Sequence, residues 1–234
     1  MTAEYTLKAR LAPTVLSAPP ILLLGNTLFN IQANQWLDSN TMTWLFGKGT
    51  ASAALVFLMM QVNRIIGLEI FQRWIFRDEL DFPTTRWLLA TNTEMSSAQR
   101  QRINQKIQLD FQVALLPKSV GDSPRVRRHN ADIVGRIRTF VGHSPKLLRY
   151  NLEYGFFRNL IGASLPVLAV GLANAYLYSK NLLPMWGYDL TLGYAVVAGA
   201  LVCLARPITE RLGIQYARVL FQTYLATESP SSKR

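Results

Sequence analysis

The residues with chemistry to offer are few and scattered. Gly47-Lys48-Gly49-Thr50 has the ending of a phosphate-binding loop, but that loop needs another glycine five residues before Gly47, where Met42 stands. The two histidines, His129 and His143, are fourteen apart and lack the flanking Cys or carboxylate spacing of a zinc site. Neither Gly-x-Ser-x-Gly nor His-Glu-x-x-His occurs. Cys203, the single cysteine, sits in an apolar run and reads as a small packing residue. With one cysteine no intrachain disulfide can form. The expectation is a chain that is not an enzyme, with no catalytic residue, no cofactor and no metal ligand.

The densest polar constellation is Tyr150-Asn151-Leu152-Glu153-Tyr154-Gly155-Phe156-Phe157-Arg158-Asn159, directly before an uncharged run. On a helix, Asn151, Gly155, Arg158 and Gly162 share one face, and Gly155, Asn159 and Ala163 form a narrow stripe beside it. Small residues let a partner backbone approach, and Asn or Arg then hydrogen-bonds across the contact. Two readings stand level. In one, the aromatics anchor the helix at headgroup depth while Arg158 reaches phosphate. In the other, Asn151, Glu153, Arg158 and Asn159 form a joint that passes a signal into membrane helices. Glu153 as an acid or base lacks an identifiable positioned partner.

Charge distribution dictates the elements that carry these residues. Asp, Glu, Lys and Arg are absent from 11–37, 49–63 and 159–179. A bilayer core of about 30 Å needs about 20 mostly apolar residues in a helix, whose backbone bonds are satisfied internally. The pattern predicts spans at Thr14–Ala33, Trp44–Ile66, Phe156–Tyr178 and Leu182–Ala205. Lys48 can run its stem along the second helix to place its ammonium at the interface. Lys8 and Arg10 before an apolar run also fit a secretory leader, but the run is long and Ile31-Gln32-Ala33 is a poor cleavage site, so a retained span is expected. Asn26, Asn30, Asn63, Asn174 and Asp189 are polar at or near lipid depth. Asn26 and Asn30, one turn apart, either bond between helices, the favoured reading, or line a path across several subunits.

The net charge is +11, with sixteen Lys or Arg and nine Asp or Glu between Arg64 and Arg158. Basic residues concentrate there and in both terminal segments, while the connections between paired spans carry only Lys48 and Lys180. Under the positive-inside rule both termini and the middle segment are cytoplasmic. The basic surplus then faces an anionic inner leaflet, which explains it better than a nucleic-acid partner does.

Within the middle segment, the second helix should continue to about Phe76 and stop near Asp81-Phe82-Pro83. Arg86-Trp87-Leu88-Leu89 reads as a short strand or buried extended stretch. Thr93 or Ser96 can cap a helix bearing Ile103, Ile107, Phe111 and Ala114, which ends before Pro117. A second amphipathic helix carries Ile133, Ile137, Phe140 and Val141 opposite Arg128, Arg136 and Arg138. Leu212, Tyr216, Val219, Leu220 and Tyr224 predict a third, packed on this domain or lying on the membrane.

The fold class expected is a mainly α integral membrane protein with four transmembrane helices and a small cytoplasmic domain, α or α+β, inserted between helices 2 and 3. Its parts are an N-tail (1–13), helices 1 and 2 with an extension (14–77), the basic domain (78–154), helices 3 and 4 (155–205), and an amphipathic helix with a disordered tail (206–234).

Pro83-Thr84-Thr85-Arg86-Trp87-Leu88-Leu89 and the run from Asn151 to Gly162 resemble motifs of poorly characterised bacterial multi-span membrane proteins. The whole plan is similar to membrane effectors of anti-phage defence systems. That resemblance implies an inner-membrane protein whose cytoplasmic part receives a signal or protein partner and whose helices compromise the membrane, acting as a homo-oligomer. It carries over no catalytic residue, and no signature of a nucleotide-sensing domain accompanies it. A transporter or structural membrane subunit is the alternative, and an interfacial lipid-processing enzyme around Glu153 and Arg158 is a more distant one.

Overall fold

The computed structural model describes residues 3–36, 50–77, 80–142 and 144–228, and every described element is helical. Lys48, His143 and the tail beyond 228 lie outside the described residues, as does the side chain of Asn30. Four helical stretches are long and apolar enough to cross a membrane: Ala3–Leu28, Ala53–Phe76, Pro145–Ser179 and Met185–Cys203. The chain divides into two compact units, Met1–Phe71 with Gly155–Arg206, and Gln72–Tyr154 with Pro207–Arg234.

In the spanning unit, the first span joins a short helix α1 (Ala3–Tyr5), a π-helical segment (Thr6–Leu11) and α2 (Ala12–Trp36). The second joins α3 (Thr50–Ile65), a second π-helical segment (Ile66–Gln72) and α4 (Arg73–Phe76). Widened turns of this kind arise where the regular i to i+4 ladder is interrupted. For the first the cause is in the sequence: Pro13 has no N–H, so the Ala9 carbonyl loses its helical donor. The third and fourth spans are α8 (Pro145–Ser179) and α9 (Met185–Cys203). At 35 residues α8 is about 52 Å long, well beyond the thickness of an apolar core.

The basic unit holds the rest. After α4, Arg77 adopts a left-handed conformation (φ 46°) that ends the second helix. Arg86-Trp87-Leu88-Leu89 is neither strand nor extended: Arg86 and Trp87 end a short helix, α5 (Pro83–Trp87), and Leu88 and Leu89 lie in the turn after it. The reason is that Pro83 occupies the first helical position, where its missing N–H costs nothing, and extended Phe82 precedes it. Ser96 caps α6 (Ser97–Phe111) by accepting from Gln99 N, and Gln112 ends it in the left-handed region. Ser123 caps α7 (Pro124–Val141). The C-terminal helix α10 (Ala205–Ala226) contributes Ala217, Val219, Leu220, Phe221 and Tyr224 to this unit's core, alongside Trp87, Ile103, Ile107, Ile133 and Ile137.

Aromatic stacking gives that core its register. Trp87 stacks on Phe221, and Phe111 on Tyr224, each at 6.1 Å between centroids, while Phe140 meets Tyr224 edge-on. Lys106 caps the rings of Phe140 and Tyr224 and pairs with Asp110, whose side chain is fully buried. Tyr224 donates to Asp110 Oδ2 at 3.0 Å. Elsewhere Arg86 pairs with Glu210 at 2.9 Å, and Arg127 joins Asp81 and Asp122. Burial, then the nearby Arg77, lowers the Arg127 guanidinium from its ordinary value.

Burial and the hydrogen bond to Asp110 raise the Tyr224 phenol far above its ordinary range, keeping it a donor. Tyr224→Phe removes that donor and should cost about 1.5–3 kcal/mol of stability, read by thermal denaturation of the detergent-purified chain. The raised phenol stabilises the fold fully below the ordinary tyrosine value of about 10, and that contribution is lost as pH rises past it. The gap between wild type and Tyr224→Phe should therefore stay constant below about pH 9 and narrow above about pH 10.

Candidate functional site

The polar constellation before the third span is not one cluster. Asn151 is exposed, and Glu153 pairs with Arg149 at 3.3 Å across one helical turn. Both belong to the basic unit. Arg158 and Asn159 belong to the spanning unit, where they stand at a close crossing of the first three spans.

Asn159 is the centre of that crossing. It is 1% exposed, and its Nδ2 donates to the Ala9 carbonyl at 2.6 Å. This is the carbonyl that Pro13 leaves without a helical donor, so a side chain of the third span replaces a backbone bond of the first. Gly155 lets the helices approach closely enough: a Cβ there would meet Tyr5 Oη at 2.7 Å and Ala9 Cβ at 3.2 Å. On the adjoining face, α8 meets the second span backbone to backbone. A Cβ on Gly67 would lie 2.6 Å from the Arg158 carbonyl oxygen, and one on Gly162 would overlap the Asn63 carbonyl and sit 2.7 Å from Gly67 N. The face and stripe read from the sequence thus serve different partners: Gly155 and Asn159 meet the first span, Arg158 and Gly162 the second.

Two further buried amides also bond between spans at other levels. Asn63 Nδ2 donates to Thr14 Oγ1 at 3.3 Å, and Thr14 in turn donates to the Arg10 carbonyl. Asn174, completely buried, donates to the Pro20 carbonyl at 3.2 Å and to Thr191 Oγ1 at 3.0 Å, which ties the first, third and fourth spans together. All three amides donate to the proline-bearing first span. The partners Thr14, Thr191 and Gly67 were not singled out in the sequence. Pro13 was the available signal, because a proline inside an apolar run always strips a donor from the carbonyl four residues earlier.

The remaining sequence candidates lie apart. Asn26 is exposed on α2, and the Asn30 side chain is outside the described residues. His129 Nε2 is 3.0 Å from the Ala114 carbonyl, a loop contact. No group of three or more His, Cys, Asp or Glu that could hold a metal occurs among the described residues.

Chemically, the crossing holds helices and exchanges hydrogen bonds between them. Asn159→Ala leaves the Ala9 carbonyl without its donor and should destabilise the spanning unit by about 1–2 kcal/mol, measured by resistance to SDS-induced unfolding. Pro13→Ala restores an N–H at position 13, so Pro13→Ala with Asn159→Ala should lose less than the two single changes sum to, with a coupling of about 0.5–1.5 kcal/mol. Strict additivity would show that the two residues do not share the carbonyl. No family model matches this chain, and no curated protein or solved structure is detectably similar to it, so the crossing speaks through its own chemistry alone.

Proposed function

We propose that the chain is a non-enzymatic bacterial inner-membrane protein with both termini cytoplasmic. Its basic unit receives a signal or protein partner, and its four spans respond by associating with other copies or opening a leak, in the manner of a membrane effector of anti-phage defence. The observation that carries this reading is the division into two compact units, each with its own interior: apolar spans in one, an aromatic core under an arginine-rich surface in the other. A unit with a separate core is a self-supporting platform for a partner outside the lipid.

The polar residues of the spans support the form of the response. Asn63, Asn159 and Asn174 turn their amide N–H groups to neighbouring helices of the same chain. They hold the bundle shut instead of offering a hydrated path through it. Asn26 is exposed among the described residues. A conducting path is accordingly assigned to the contact between copies, with Asn26 on the side where a second copy would bond it.

The test is membrane potential, read with a voltage-sensitive dye in bacteria expressing the chain with its neighbouring genes, with and without phage challenge. Depolarisation should follow challenge, fall in an Asn26→Leu variant, and vanish in Arg158→Glu while both variants still insert. An unchanged potential in cells that carry the inserted protein would overturn the effector reading in favour of a transporter or structural subunit that works beside other chains.

A further inference from the structure

The spanning unit carries a groove of about 600 Å³ between the first, third and fourth spans, walled by Leu16, Leu160, Val167, Gly193, Val197 and Leu201. Two serines line it, but both hydroxyls turn back to their own helices: Ser17 donates to the Thr14 carbonyl and Ser164 to that of Leu160. With Tyr194 as the remaining hydroxyl-bearing residue of the lining, the wall is mainly apolar along its middle. Asp189 lines one end, exposed, and it makes no hydrogen bond or ion pair among the described residues. From Asp189 to Leu201 is twelve residues along α9, or about 18 Å. One leaflet of a bilayer core is about 15 Å deep.

The depth of Asp189 follows from its neighbours. Trp186, one turn earlier, is 64% exposed, and the rings of Tyr178 and Tyr188 stack at 4.4 Å. Trp and Tyr gather where hydrocarbon meets headgroups. A carboxylate at headgroup level thus opens onto an apolar channel one leaflet long.

We propose that this groove holds one phospholipid with a primary-amine headgroup, its ammonium on Asp189 and one acyl chain along α9 towards Leu201. The ammonium suits the site because it donates charge-assisted hydrogen bonds to the carboxylate, which a trimethylated choline cannot do. The inference depends only on the four spans being embedded in lipid, and it stands or falls apart from the effector reading.

Full-length protein is purified in detergent with equimolar dioleoyl phosphatidylethanolamine and dioleoyl phosphatidylcholine, and retained lipids are read by native mass spectrometry. Wild type should keep the ethanolamine lipid about threefold to fivefold over the choline lipid, the size of one exposed ionic contact. Asp189→Ala should bring the ratio to parity. Gly193→Leu should reduce retention of both lipids, since a Cβ at Gly193 meets nothing within 4 Å and so fills the groove without disturbing the bundle. Unchanged helical content by circular dichroism confirms that both variants are folded. Equal retention by wild type, a preference that survives in Asp189→Ala, or undiminished binding by Gly193→Leu would each overturn the proposal.

Discussion

In hydrocarbon or in a packed interior, a backbone carbonyl that has lost its donor cannot turn to water, and leaving it bare costs several kcal/mol. The first span confronts this at Pro13, Pro19 and Pro20, which remove the helical donors of Ala9, Val15 and Leu16. At Ala9 the solution is external. Asn159 brings an amide N–H from the third span, and the turn around Ala9 widens into π geometry. Placing that amide 2.6 Å from a backbone carbonyl requires near contact of the two helices, which Gly155 allows. Once α8 is held there, Gly162 and Gly67 let its opposite flank touch the second span. Glycine costs helix propensity at these positions, but here any Cβ would collide with backbone or with a packed ring.

The basic unit is built differently, around an interior of its own. It uses aromatic bulk, with Trp87 on Phe221 and with Phe111, Phe140 and Tyr224 in mutual ring contact, where the spanning unit uses small residues and amides. Asp110, a carboxylate whose side chain is fully buried, is accommodated with Lys106 and Tyr224 both reaching it. Burying it without them would carry the cost of an uncompensated charge.

What was legible in the sequence follows from how local each cause is. Uncharged runs marked the first three spans and an apolar run broken only by Asp189 marked the fourth, since the penalty for charge in lipid acts residue by residue. Ile103 and Ile107, and Ile133 and Ile137, marked the buried faces of α6 and α7 through their spacing, and Ser96 marked a cap through its side-chain oxygen. Trp87 misled: its bulky, apolar surroundings suit a strand, and the tertiary setting settled on one helical turn nucleated by Pro83. The stripe of Gly155, Asn159 and Ala163 announced a close contact but not its partner. That pairing depends on which helix presents an unfilled carbonyl at matching depth, a relation between residues 150 positions apart.

A hydrogen bond lent across helices differs in kind from one within a helix. The bond between Ala9 and a backbone donor would belong to the first span alone and survive any movement of its neighbours. The bond from Asn159 makes the geometry of the first span conditional on the position of the third, while Asn63 and Asn174 add ties through the Thr14 hydroxyl, the Pro20 carbonyl and the Thr191 hydroxyl. In an apolar medium, where no hydrophobic force favours one helix arrangement over another, such bonds and the close packing around glycine are what distinguish the assembled bundle from four separate helices. The proline-bearing span is thus the one on which the buried amides of the second and third spans converge.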